Sequence, residues 1–247
     1  MTGFRHPAAG SLASSISVII PTLNEEGCLA GTLERLRGAD LSEVIVVDGG
    51  SADGTVRVAE EMGAITLRTS AGRGRQQNLG AERSAGDILL FLHADTALPA
   101  DFPKHVRGTL ATPGTSAGAF RFRLDADGWG LALVERMVAL RCAVFAMPYG
   151  DQAIFTTREA FERVGRFRDL PVMEDFDLIR RLKRIGRIRL APMAAVTSAR
   201  RWRREGVLRA TIKHQACILG YYLGVRPELM ARMRGRVTRR RSARPTG

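Results

Sequence analysis

The sequence predicts an α/β protein with a mostly parallel central sheet flanked by helices, a small antiparallel portion and a C-terminal helical extension. Three observations predict it. Apolar runs of strand length recur four times in the first hundred residues, separated by segments with helical spacing. Those runs are apolar throughout rather than alternating, as strands covered on both faces require. The second half then changes character, with one alternating run and longer helical patterns.

Residues 16–20 form a β-branched strand ended by Pro21. Asn24 is placed to cap a helix that lines up Leu29, Leu33 and Leu36. "EVIVVD", Glu43–Asp48, is a second strand, running into the turn-rich "GGSADGT" and a helix near 55–62. Residues 64–69 are a third strand, the loop "SAGRGR" leads to a helix over 76–84, and residues 87–92 are a fourth strand. "AGAFRFRL", 117–124, alternates like an antiparallel strand, and Trp129–Phe145 is a helix. "DQAIFTT" reads as another strand, and 174–185 as a helix with Phe176, Ile179 and Leu182 on one face. A last helix covers 205–223.

At 247 residues and 45% hydrophobic, the chain can bury one sizeable core. No run approaches the roughly 18 apolar residues of a membrane span, and the run at 16–20 is too short for a signal peptide. Cys28, Cys142 and Cys217 are far apart and form no CxxC, which suits a reducing, cytoplasmic compartment. The net charge of +13 is concentrated at one end: from Arg200 onward, fourteen lysines and arginines face only Glu205 and Glu228. Such a tail suggests peripheral contact with an anionic membrane face, or simply a solvated segment.

In open α/β sheets ligands gather at the carboxyl ends of the strands. Here those ends carry Pro21, Thr22 and Glu25, then Asp48, then Arg73 and Arg75, and finally His93-Ala94-Asp95. Asp48 could accept hydrogen bonds from a base or ribose. The arginines could meet phosphate oxygens. Asp95 could hold Mg²⁺ or Mn²⁺. Asp48 also reads as a turn residue, Asp95 as a cap, and His93 as a structural histidine. Together the groups describe a nucleotide-diphosphate site.

"SVIIPTLNEE", "VIVVDGGSADGT", "GRGRQQNLGAERSAGDILLFLHADT" and "MEDFDLIRRL", in that order, resemble the inverting family-2 glycosyltransferases of GT-A fold. With "YGDQAIF" and "SARRWRREG" the pattern is similar to a small bacterial subgroup associated with radical-SAM and selenium-domain proteins. The resemblance implies sugar transfer from a nucleotide-diphosphate sugar, UDP-linked, to an acceptor hydroxyl or carboxyl with inversion. It places Thr22 and Glu25 near the nucleoside, Asp48 on the base, and Arg75 and Asn78 near base and diphosphate. Asp95 takes the last position of a DxD metal motif. Asp175, beside Glu174, is the implied general base. Asp151 and Gln152 fall on the acceptor side, and Arg201 and Trp202 match an Arg-Trp pair. The chain departs in having Gly49 where a second carboxylate is common and His93 where DxD begins, so His93 is a secondary metal candidate.

The implied organisation is a flexible segment at 1–15 and a catalytic domain at 16–200, with a nucleotide-binding half at 16–96 and an acceptor half at 97–200. A helical extension at 201–235 and a basic disordered tail at 236–247 follow. The acceptor is a small or lipid-like molecule, and the oligomeric state is open. A sugar-nucleotide nucleotidyltransferase is one alternative, although it would want a glycine-rich basic loop where this chain has "PTLNEEG". A non-catalytic nucleotide- or nucleic-acid-binding protein is another. With only 6% aromatic residues and no aromatic-basic interleaving, nucleic acid is disfavoured.

Overall fold

The computed structural model describes residues 14–233, so the expected basic tail lies outside the described residues. Apolar strands dictate the centre. β1 (Ile16–Thr22), β2 (Glu43–Asp48), β3 (Ile65–Arg68) and β4 (Ile88–Phe91) pair in parallel in the order β3-β2-β1-β4. Pro21 continues β1 rather than ending it, opposite Val47, and the strand closes only at Thr22.

Beyond β4 the sheet becomes mixed. β7 (Ile154–Thr157) runs antiparallel to β4, and β6 (Thr115–Leu124) antiparallel to β7. β8 (Arg187–Thr197) lies parallel to β6, and β5 (Thr96–Ala97) closes the far edge against β8. Because β5 follows β4 directly in sequence yet pairs four positions away, the sheet curls.

Side chains of β1 alternate between two cores. Ile16, Val18 and Ile20 pack with Leu29 and Leu33 of α1 (Glu26–Glu34), Ala59 of α2 (Thr55–Glu61) and Phe102 of α4 (Phe102–Leu110). Ile19 faces the opposite core with Ala81 of α3 (Arg73–Arg83), Phe161 of α6 (Arg158–Arg163) and Phe176 of α7 (Glu174–Leu182). A third cluster joins Phe122 to Leu131 and Val134 of α5 (Trp129–Phe145), Trp202 of α8 (Arg200–Glu205) and Ala210 of α9 (Val207–Tyr222).

Several boundaries differ from expectation for physical reasons. Asn24 does not cap α1: its backbone is left-handed at φ 55°, its Oδ1 accepts from the Ala52 amide, and Glu25 takes the cap position. α3 starts at Arg73, so Arg73 and Arg75 stand in a first helical turn rather than a loop. The helix expected at 205–223 is α9, and two further short helices flank it, α8 and α10 (Pro227–Met233), the break between α8 and α9 falling at Gly206 with φ 82°. α9 packs on the second core through Cys217 and Tyr221, whose hydroxyl donates to Asp177 Oδ1 at 2.8 Å. Ser15, at the end of the segment expected to be flexible, bonds Asp87 through both backbone and hydroxyl. No described helix is long and apolar enough to cross a membrane.

Where β6 meets β7, Gly118 leaves no room for a side chain, because a Cβ there would lie 2.3 Å from the Phe155 ring. Gly118→Ala is therefore expected to destabilise the fold by about 1–3 kcal/mol, as overpacked cores do. A lower urea midpoint at unchanged slope would show it.

Candidate active site

The parallel strands deliver their carboxyl ends to one rim, and Gln76 of α3 fixes two of them. Its Nε2 donates to the carbonyls of Thr22 and Val47, each at 2.8 Å. Beside this rim lies a cavity of about 630 Å³. Pro21, Glu25, Arg73, His93, Ala94, Asp95, Asp151, Asp175, Arg201 and Trp202 among the expected residues line it.

Asp95 is positioned by the crossing from β4 to β5. Thr96 Oγ1 bonds Thr197 Oγ1 at 2.8 Å, and Thr197 Oγ1 donates to the Asp151 carbonyl at 2.9 Å. The Ser198 amide donates to the Asp95 carbonyl. These bonds bring the start of α8 against Asp95, so that Arg200 Nη2 sits 2.6 Å from Glu25 Oε2 and 3.2 Å from Asp95 Oδ2. Burial raises the Asp95 pKa, Arg200 partly offsets this, and the Glu25 charge adds to it.

Across the cavity, Met173 adopts a left-handed backbone, φ 66°, at the cap of α7. For a non-glycine residue this is a strained turn, and it aims Glu174 and Asp175 inward. Glu174 is buried and pairs with Arg73 at 2.5 Å. Arg73 Nη1 stands 3.3 Å from His93 Nε2. Asp175 Oδ2 accepts from the Gly150 amide at 2.7 Å and Oδ1 from its neighbour's amide, Phe176, at 2.8 Å. Burial alone would raise the Asp175 pKa, but the Arg73 charge and these two amides hold it below the ordinary carboxylate value. Asp151 behaves oppositely. Burial raises its pKa against the pull of Arg141 and Arg201, and its buried Oδ1 accepts no hydrogen bond.

Other expected contacts are spent on the protein itself. Asp48 is buried and accepts from the amides of Gly50 and Ser51 and from the Ser51 hydroxyl, so it braces its turn. Asn78 clamps the backbone of Phe167 through both side-chain atoms. Arg75 points outward to Asp169 and Ser70. Gln152 is fully buried, donating to the Phe120 carbonyl and accepting from Arg141, so it does not face an acceptor. Thr22 is buried at the strand end. Arg200, Tyr149 and Ser198 line the cavity without having been singled out from sequence. For Arg200 the available signal was its place in "SARRW", whose arginines are too alike to rank.

The family resemblance implies a divalent cation. Asp95 and Glu25 turn carboxylate oxygens toward one cationic group, the Arg200 guanidinium, and hard oxygen donors of this kind suit Mg²⁺ or Mn²⁺. No group of three His, Cys, Asp or Glu suited to a metal gathers among the described residues. A cation on Asp95 would therefore complete its shell with substrate oxygens and water. His93 Nε2 lies 3.3 Å from Arg73 Nη1 and beside the Gly150 backbone.

The chain is 36% identical over 107 residues to 4,4'-diaponeurosporenoate glycosyltransferase of Staphylococcus haemolyticus, covering 40% of this chain and 28% of that protein. It is 32% identical over 153 residues to undecaprenyl-phosphate 4-deoxy-4-formamido-L-arabinose transferase of Aeromonas hydrophila, covering 55% and 46%. It thus spans less than half the length of either relative. Among solved structures it is similar to mannosyltransferase PcManGT from Pyrobaculum calidifontis in complex with GDP-Man and Mn²⁺, at a TM-score of 0.60 and 22% identity, covering 80% of this chain and 60% of that one. It is also similar to glucosyl-3-phosphoglycerate synthase from Mycobacterium tuberculosis with Mn²⁺, UDP and glucosyl-3-phosphoglycerate, at 0.57 and 20%, covering 79% and 78%. The model of the family described as glycosyl transferase family 2 matches residues 17–167, the stretch that carries the whole parallel half of the sheet. On that match the chain belongs to glycosyl transferase family 2, and it has the GT-A fold.

Proposed function

We propose that the cavity beside Asp95 takes a nucleotide-diphosphate sugar and transfers its sugar to an acceptor hydroxyl with inversion. The observation that carries this reading is the convergence of Asp95 and Asp175, eighty positions apart in sequence, on one cavity that Arg73 and Arg201 also line. GDP-Man with Mn²⁺ and UDP with Mn²⁺ in the similar structures support a nucleotide donor and a cation. UDP-sugars are the first donors to test and GDP-mannose the next.

Each group has a chemical task. Asp95 would hold the cation, which supplies Lewis-acid stabilisation of the leaving diphosphate. Arg73 and Arg201 set positive charge where the diphosphate gains negative charge. Glu174, by pairing with Arg73, fixes that guanidinium in place. Asp175 takes the acceptor proton as its oxygen attacks the anomeric carbon opposite the departing diphosphate, so one base suffices and no enzyme nucleophile is needed. A second reading gives the proton to Asp151, favoured by its buried Oδ1 without a hydrogen bond.

Asp175→Asn should leave UDP–Mn²⁺ binding within about twofold while cutting turnover by about 10²–10⁴-fold, the range for loss of a general base. Isothermal titration and nucleoside diphosphate release measure the two. Asp95→Asn should instead abolish Mn²⁺-dependent binding of UDP.

The acid limb of kcat separates the two bases. Because Asp175 is held below the ordinary carboxylate value, it stays ionised as pH falls and the limb lies below pH about 4. The Asp151 carboxyl, raised by burial, would protonate first on acidification, so a limb above the ordinary carboxylate value would assign the base to Asp151.

A further inference from the structure

A second cavity, about 570 Å³, adjoins the first. Tyr149, Asp151, Phe176, Arg201 and Trp202 belong to both, forming a neck between a polar chamber and an apolar one. The far chamber lies between α5 and α9, floored by Phe122, Val134, Val138 and Ala210. Its mouth is apolar as well: Met137, Leu140, Phe145 and Tyr222 line it while remaining 38%, 64%, 60% and 61% exposed. Apolar side chains left open to water around a cavity of this size mark a ligand site rather than a core.

We propose, building on the transferase reading above, that this chamber binds the hydrocarbon body of the acceptor, an apolar alcohol whose hydroxyl passes the neck toward the donor. Three features select such a molecule. The walls offer few partners for a sugar or phosphoglycerate acceptor, whose polar groups would be desolvated unpaired. At the neck, Arg141 is already spent on the Met147 carbonyl, Gln152 and the face of Tyr149. Asp151 Oδ1, buried there without a hydrogen bond, suits an incoming hydroxyl. In the transfer the acceptor oxygen bonds the anomeric carbon and its proton goes to the carboxylate base. The bond from anomeric carbon to phosphate oxygen breaks, and its electron pair leaves with the nucleoside diphosphate.

The chain has two tryptophans, Trp129 and Trp202, and only Trp202 lines the chamber. In a Trp129→Phe background, farnesol is expected to shift Trp202 fluorescence saturably, and glycerol to leave it unchanged. Ala210→Phe fills the chamber and Leu140→Glu charges its mouth; each should weaken farnesol binding at least tenfold while leaving the UDP–Mn²⁺ thermal shift unchanged. Leu140 is exposed, so its variant keeps the test valid if the packed one misfolds. No saturable farnesol response, or full farnesol affinity in the Leu140→Glu protein, overturns the proposal. Dodecanoic acid and dodecyl phosphate form the comparison arms: transfer to either in preference to farnesol overturns the alcohol head. Farnesol binding by a protein that binds no nucleotide would overturn the transferase reading and leave the hydrocarbon site standing.

Discussion

The two-residue pairing of Thr96–Ala97 with Val196–Thr197 is the contact on which the rest of the site depends. It pulls the chain away from the central strand immediately after Asp95 and fastens it to the opposite end of the sheet. The hydroxyl chain from Thr96 through Thr197 to the Asp151 carbonyl then joins three segments more than forty residues apart. Without that crossing, Asp95 would end an ordinary parallel strand and Arg200 would have no reason to stand beside it. A sheet that curls in this way sets the ends of its parallel strands and the start of α7 around one cavity.

Much of the parallel half is legible in the sequence because its signals are local. "EVIVVD" coincides with β2, and Trp129–Phe145 with α5, since an uninterrupted apolar run or a long helical spacing needs no distant partner to declare itself. β8, the longest strand among the described residues, is not legible because Pro192 and exposed Arg187, Leu190 and Met193 disguise a ribbon whose partner lies about seventy residues earlier. α4 was missed because Pro103 reads as a breaker, yet at the first turn of a helix it removes only an amide that has no partner.

The site divides along the same line. Asp95 and Asp175 announce themselves through the motifs around them. Asn78 and Gln152 have the same polar chemistry, but each satisfies backbone groups that only the folded chain brings near, while Asp48 accepts from the amides of its own turn. A buried polar residue must find a partner, and sequence does not say whether the partner is substrate or main chain. The divergent pKa directions of Asp151 and Asp175 arise in the same way: two amides donate to the Asp175 carboxylate, whereas the buried Asp151 Oδ1 accepts no hydrogen bond.

Arg200 and Trp202 stand two residues apart on α8, a helix of six residues. So short an element moves as one piece. The guanidinium that bridges Glu25 and Asp95 is thereby geared to the indole that walls the apolar chamber. One short helix therefore sets the spacing between the Glu25–Asp95 carboxylate pair and the indole wall that the two chambers share.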